Sequence, residues 1–145
     1  MWLLTAPPPY AVPPTILACV PGELHEGGLL ILSALLQRRR WPVAYLGQSV
    51  PLADLAEFIG VIRPLAIVLT ATREESARSL VEWPQALSGA VRGGPPLVCF
   101  GGHVFVERPE WSTRVPGIYL GSDLRGAVET LEDLLQSVAP SLALG

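Results

Sequence analysis

Short apolar runs alternate with longer amphipathic stretches along this chain, and the alternation predicts strands separated by helices. Thr15-Ile16-Leu17-Ala18-Cys19-Val20 is apolar almost throughout and stops at Pro21-Gly22, the pattern of a buried first strand. A helix is expected from Leu29 to Arg40, broken by Trp41-Pro42, and Val43-Ala44-Tyr45-Leu46 reads as a second strand closed by Gly47. Behind Pro51 a second helix covers 52–62, and Leu65-Ala66-Ile67-Val68-Leu69 is the third strand. Residues 74–91 carry a third helix that Pro84 must kink or divide. Leu97-Val98-Cys99-Phe100 is the fourth strand, Ile118-Tyr119-Leu120 a short fifth, and Asp123 caps a last helix running to about Val138. Strands that are apolar at every position are covered on both faces, as in a parallel sheet sandwiched by helices. The expected fold is therefore α/β, flavodoxin-like (Rossmann-type) and doubly wound, with a five-stranded parallel sheet in the order 2-1-3-4-5.

The first helix stands apart, because Leu29, Leu30, Ile31, Leu32, Ala34, Leu35 and Leu36 spread apolar surface beyond one stripe. Either the helix is buried all round, or its second face is covered by a partner or a bulky ligand. Ahead of the first strand, Pro7-Pro8-Pro9-Tyr10-Ala11-Val12-Pro13-Pro14 suits neither a helix interior nor a central strand and reads as a stiff linker. The expected organisation is a linker over 1–14, one domain over 15–140 and a tail over 141–145. A linker in that place implies an upstream part or a docked partner.

Composition narrows the function classes. Half of the residues are hydrophobic and 16% are charged, enough apolar material to fill one sheet domain at 145 residues. The net charge of −3, with Arg38-Arg39-Arg40 as the one basic run, leaves no electrostatic footprint for direct nucleic-acid binding. That run is expected to close the first helix, where cations offset the dipole and meet the last carbonyls. No apolar stretch approaches the roughly 18 residues of a membrane span, and the N-terminal residues lack the basic start of a signal peptide. Cys19 and Cys99 fall in the first and fourth strands, with one strand between them, so their Cα atoms should be about 9–10 Å apart, too far for a disulfide. Buried free thiols point to a reducing compartment, and a cytoplasmic location is expected.

The unusual polar residues collect at strand ends, where this topology places its ligand site. The loop Glu23-Leu24-His25-Glu26-Gly27-Gly28 follows strand one, Thr70-Ala71-Thr72 follows strand three, and Gly101-Gly102-His103 follows strand four. His25 reads as a metal ligand, a general base or a plain surface histidine. Glu23 could take the proton of its second ring nitrogen and fix the tautomer. The glycine pairs would let something large approach the backbone, or mark tight turns. Thr70 and Thr72 could equally satisfy local backbone groups. Two histidines and two buried cysteines do not make a four-ligand zinc site. An acidic cluster for a phosphoacceptor is missing, as is any nucleophile–base–orienter set, so catalysis of its own is not expected.

Glu23-x-His25-x-x-Gly28 resembles the Asp-x-His-x-x-Gly motif of cobalamin-binding domains, with Glu in place of Asp. Tyr45-Leu46-Gly47, Val50-Pro51, Thr70 (where the family usually has Ser) and Gly101-Gly102 follow in register, and the likeness runs from about Ile16 to Leu135. The resemblance implies a corrinoid bound with its dimethylbenzimidazole base displaced. His25 would then be the lower cobalt ligand and Glu23 its hydrogen-bonding partner. Gly28 would open the entry of the first helix, Thr70 would contact the displaced base, and Gly101-Gly102 would line the channel for the nucleotide tail. Leu24, Glu26, Gly27, Thr72 and His103 complete the expected cofactor-binding set. The methyltransferase and mutase branch continues its motif with a Lys-Asn pair, which is lacking after Gly28. His25-Glu26-Gly27-Gly28-Leu29-Leu30, Arg38-Arg39-Arg40 and Tyr119-Leu120-Gly121-Ser122-Asp123-Leu124 are more similar to the cobalamin domains of MerR-type light-responsive transcriptional regulators.

That likeness implies a sensory domain for adenosyl-, methyl- or hydroxocobalamin, regulatory rather than enzymatic and responsive to light or ligand. Its partners would be an upstream helical cap, a DNA-binding region or a separate protein, and possible self-association into a homo-oligomer is part of the expectation. Two alternatives remain: a corrinoid carrier for a methyltransferase system, and an interaction module that kept the fold without the cofactor.

Overall fold

Alternate side chains of each inner strand enter opposite cores, which is how continuous apolar runs become a sheet buried on both sides. In the computed structural model, which describes residues 9–90 and 96–139, strand β1 (Thr15–Cys19) sends Ile16 and Ala18 to one face and Leu17 and Cys19 to the other. Strands β3 (Ala66–Thr70) and β4 (Leu97–Gly101) repeat the division, with Ile67, Leu69, Val98 and Phe100 on the first side and Val68 and Cys99 on the second. Strand β2 (Val43–Gly47) and the two-residue β5 (Ile118–Tyr119) are half-buried edges. All pairings are parallel, in the order β2-β1-β3-β4-β5, as expected from the sequence.

Helices α2 (Leu52–Ile62) and α3 (Glu74–Leu87) cover the first face. Helices α1 (Gly27–Arg38) and α5 (Leu124–Val138) cover the second. Asp123 caps α5 as expected, its Oδ1 accepting the Gly126 N–H at 2.7 Å. Pro84 lies inside α3 without dividing it, and the helix ends at Leu87, four residues short of the expected Val91, which is outside the described residues. The stretch between β4 and β5 holds a short helix α4 (Val104–Glu107) and a 3-10 turn at Pro109–Thr113, neither anticipated. No helix among the described residues is long and apolar enough to cross a membrane.

Two further expectations need correction. Helix α1 starts at Gly27, not Leu29, because the Leu30 N–H already reaches the Glu26 carbonyl at 2.9 Å. It also closes earlier, so only Arg38 serves its last turn. Arg39 reaches across to Glu132 of α5 at 2.8 Å, and Arg40, at φ +73°, lies over the Tyr10 ring at 4.6 Å. The stiff segment before β1 lies against the domain at Tyr10. The Tyr10 N–H donates to Arg40 at 2.8 Å, and its ring meets Trp41 edge-on at 5.0 Å. The question left open for α1 is answered too: Leu29, Leu32 and Leu36 are buried, while Leu30 and Ile31 are about half exposed. Both cysteines are buried free thiols on strands separated by β3.

Candidate functional site

Register brings the strand ends together: Cys19, Thr70 and Gly101 stand side by side at the C-terminal ends of β1, β3 and β4. Beyond Cys19 the chain turns sharply at Gly22 (φ +82°), closed by the Glu23 N–H on the Val20 carbonyl at 2.9 Å. Two bonds to Ser49 hold this turn, from the Gly22 N–H to its Oγ and from its own N–H to the Glu23 carbonyl, both 2.9 Å. So fixed, Glu23 points inward and is wholly buried.

A buried carboxylate must be met by donors or by a proton. Glu23 has five donors. Oε1 accepts from the Thr72 N–H and from Ser76 Oγ at 2.7 Å. Oε2 accepts from Thr72 Oγ1 at 2.8 Å, from the His25 N–H at 3.1 Å and from His25 Nδ1 at 3.0 Å. Burial alone would raise its pKa, but the hydrogen bonds from Ser76, Thr72 and the His25 backbone outweigh it and hold the carboxyl at about 2. Thr72 and Ser76 flank the start of α3, where the helix dipole also favours an anion.

The ionised carboxylate only accepts, so the hydrogen between Glu23 and His25 belongs to Nδ1. In the neutral ring Nε2 then carries the lone pair, and no described residue engages it; the side chain is 68% exposed. Among the described residues no three His, Cys, Asp or Glu side chains gather around one point. A metal at Nε2 would therefore bring the rest of its coordination sphere with it.

Beside His25 opens a cleft of about 310 Å³, between α1 and α5 and above the ends of β3 and β4. Its walls include Leu29 and Leu32 of α1, Val68 and Thr70 of β3, and Leu124 and Ala127 of α5. A Cβ at Gly28 or Gly101 would meet nothing within 4 Å, so these glycines leave room facing the cleft. Gly102 is different: at φ +133° a Cβ would run into the Ala71 carbonyl, so its glycine serves the backbone approach of two strands.

Of the residues singled out from the sequence, His25, Gly28, Thr70, Thr72, Gly101, Gly102 and His103 border this cleft. Glu23 lies beneath His25. Leu24 is not among the cleft residues: its side chain is exposed and its carbonyl accepts from Gln48 at 2.8 Å. Glu26 takes the Tyr45 hydroxyl at 3.1 Å, and Gly27 is the first residue of α1. Thr70 Oγ1 lies 3.6 Å from Cys19 Sγ, tying β3 to β1 beneath the loop. Sequence reasoning missed Ser76, because its partner is Glu23, distant in the chain and opposed only once β1 and β3 pair. It also missed Ser122 and Asp123, which close the far end of the cleft at the start of α5; the Asp123 cap was the available signal.

The B12 binding domain family model matches residues 13–131. The chain belongs to the B12-binding domain family. This B12-binding domain is 38% identical over 96 residues to the HTH-type transcriptional repressor CarA of Myxococcus xanthus, covering 66% of this chain and 32% of that protein. It is 33% identical over 110 residues to the repressor CarH of the same organism, covering 66% of this chain and 37% of that one. The B12-binding domain thus spans about a third of these relatives. In fold it is similar to a cobalamin-binding protein from Desulfitobacterium hafniense (TM-score 0.74, 21% identity, 83% of this chain and 58% of that one). It is likewise similar to a chain of the methanol:cobalamin methyltransferase complex MtaBC from Methanosarcina barkeri (TM-score 0.75, 19% identity, 92% and 50%). The family and the regulator resemblance expected from the histidine motif are therefore those found.

Proposed function

We propose that this B12-binding domain holds cobalamin with the dimethylbenzimidazole base displaced and His25 Nε2 as the lower cobalt ligand, as the sensory part of a cytoplasmic transcriptional regulator. The observation that carries the reading is the Glu23–His25 pair. Glu23 accepts the hydrogen bond from Nδ1–H and so leaves a single unshared nitrogen, Nε2, outward beside an open cleft. When bound, cobalamin would supply the light- or ligand-sensitive bond at cobalt. The chain's own residues would orient the imidazole, make room at Gly28 and Gly101, and shelter the displaced base near Thr70. Regulation in place of catalysis fits the repressor relatives and a site without a nucleophile–base pair. In this reading the upper face of the cofactor is met by a helical cap, a DNA-binding region or a second copy lying outside this domain.

Incubation with adenosyl- and hydroxocobalamin, followed by visible spectra before and after green light, tests the reading. Expected are a histidine-on spectrum and, for the adenosyl form, a light-dependent change. Methyl transfer to a thiol by partner enzymes, with no light response, would point to a corrinoid carrier instead. Lack of uptake at micromolar cobalamin would leave a cofactor-free interaction module.

A further inference from the structure

His103 sits on the cleft wall, and its Nε2 lies 3.0 Å from Glu107 Oε1, one helical turn on. Both side chains are more than 60% exposed, so the pair adds little to the fold and is free to meet a ligand. Glu107 only accepts, so the hydrogen in this contact is carried by Nε2, and the neutral ring keeps Nδ1 as an acceptor. His103 thus brings an open ring nitrogen to the cleft wall and, held against its other nitrogen just outside the lining, the exposed carboxylate of Glu107. Among the described residues no lysine or arginine borders the cleft, whereas Asp123 contributes a carboxylate to its lining. Arg108, the next cation along the chain, faces Glu74 at 3.7 Å. A single anionic group could be met at the N-terminus of α5, which lines the cleft. Carboxylates around the edge of a ring could not.

We infer that His103 and Glu107 are specificity-determining residues that select a corrin rim carrying primary amides over one carrying carboxylates. An amide brings the N–H that this rim lacks, whereas a carboxylate brings a second acceptor and a like charge, so selection combines attraction with repulsion. The inference rests on the cobalamin reading above.

The test compares hydroxocobalamin with a derivative in which one peripheral amide is hydrolysed to the acid, binding each to the wild type, Glu107→Gln and His103→Ala by absorbance titration. Thermal melts of the three proteins establish that the exposed substitutions leave the fold intact. The wild type should hold the amide form about tenfold more tightly than the acid. Glu107→Gln should shrink that gap to about twofold, since the neutral amide can donate to a carboxylate. His103→Ala should weaken hydroxocobalamin about fivefold without altering the lower-ligand spectrum. Equal affinities for the two corrinoids, or variants indistinguishable from wild type, would overturn the inference while a His25-dependent spectrum kept the cobalamin reading. Failure of the wild type to take up hydroxocobalamin would overturn both.

Discussion

Ser76 and His25 grip opposite oxygens of one buried carboxylate, Ser76 Oγ at 2.7 Å from Glu23 Oε1 and His25 Nδ1 at 3.0 Å from Oε2. The histidine on the loop after β1 is thereby tied to the first turn of α3. Ser76 Oγ also accepts the Arg73 N–H at 3.3 Å and lies 3.0 Å from the Arg73 carbonyl, but the ionised carboxylate at 2.7 Å is the stronger acceptor for its one hydrogen. Removing that hydroxyl by Ser76→Ala leaves a buried charge one donor short. We predict a loss of about 1.5–3 kcal/mol, read by urea denaturation of the ligand-free protein. A wild-type midpoint would mean that water replaces the hydroxyl without cost.

Acid should act on the same group. Glu23 is held at about 2, below its ordinary value of 4.5, so the folded state favours the ionised form. Its contribution is fully present above pH 4.5 and is lost as pH falls toward 2, about 3 kcal/mol in all. The predicted signature is a stability that drops over that window in the wild type and much less in Glu23→Gln. Parallel pH profiles for the two proteins would remove Glu23 as the cause.

The two neighbouring glycines should respond oppositely. Gly101→Val places its side chain in open cleft space and should keep the melting temperature within a few degrees while lowering cobalamin affinity at least about tenfold. Gly102→Ala meets the Ala71 carbonyl at a left-handed φ and should destabilise the fold by about 1–3 kcal/mol. Melting curves and cobalamin titrations of both variants decide; the reverse ranking would contradict the placement of the cleft.

Burial raises the Cys99 thiol to about 12 and pushes Cys19 up as well. A thiol whose folded pKa exceeds its unfolded value of 9.0 contributes stability below pH 9, lost progressively as pH rises toward 12. Both thiols should therefore resist an aromatic disulfide reagent in the native protein at neutral pH and react within seconds in denaturant. Rapid native labelling of either would show that its strand opens.

How much of this could be read in advance depended on whether the cause is local. Ile16, Leu17, Ala18 and Cys19 announce a strand buried on both faces without reference to anything distant, and Asp123 with Gly126 is a cap complete within four residues. Glu23, His25 and Thr72 were legible as polar residues stranded at strand ends. Ser76 was not, since a serine in the first turn of a helix has a local use already, and its bond to Glu23 exists only in the folded topology. Arg39 misled for the same reason: its partner Glu132 lies on α5. Between β4 and β5, Phe105, Trp111 and Val115 enter the core at irregular spacing, leaving no period to read.

Whether a His25 nitrogen binds cobalt can be read from electron paramagnetic resonance of the cob(II)alamin-loaded protein containing nitrogen-15 only in its histidines. Axial ligation by His25 predicts that the nitrogen superhyperfine splitting of the cobalt lines changes from triplets in unlabelled protein to doublets in labelled protein, and that the histidine pattern is absent in His25→Ala. Triplets that persist in the labelled protein would mean that the cofactor's own base remains on cobalt, contradicting the account.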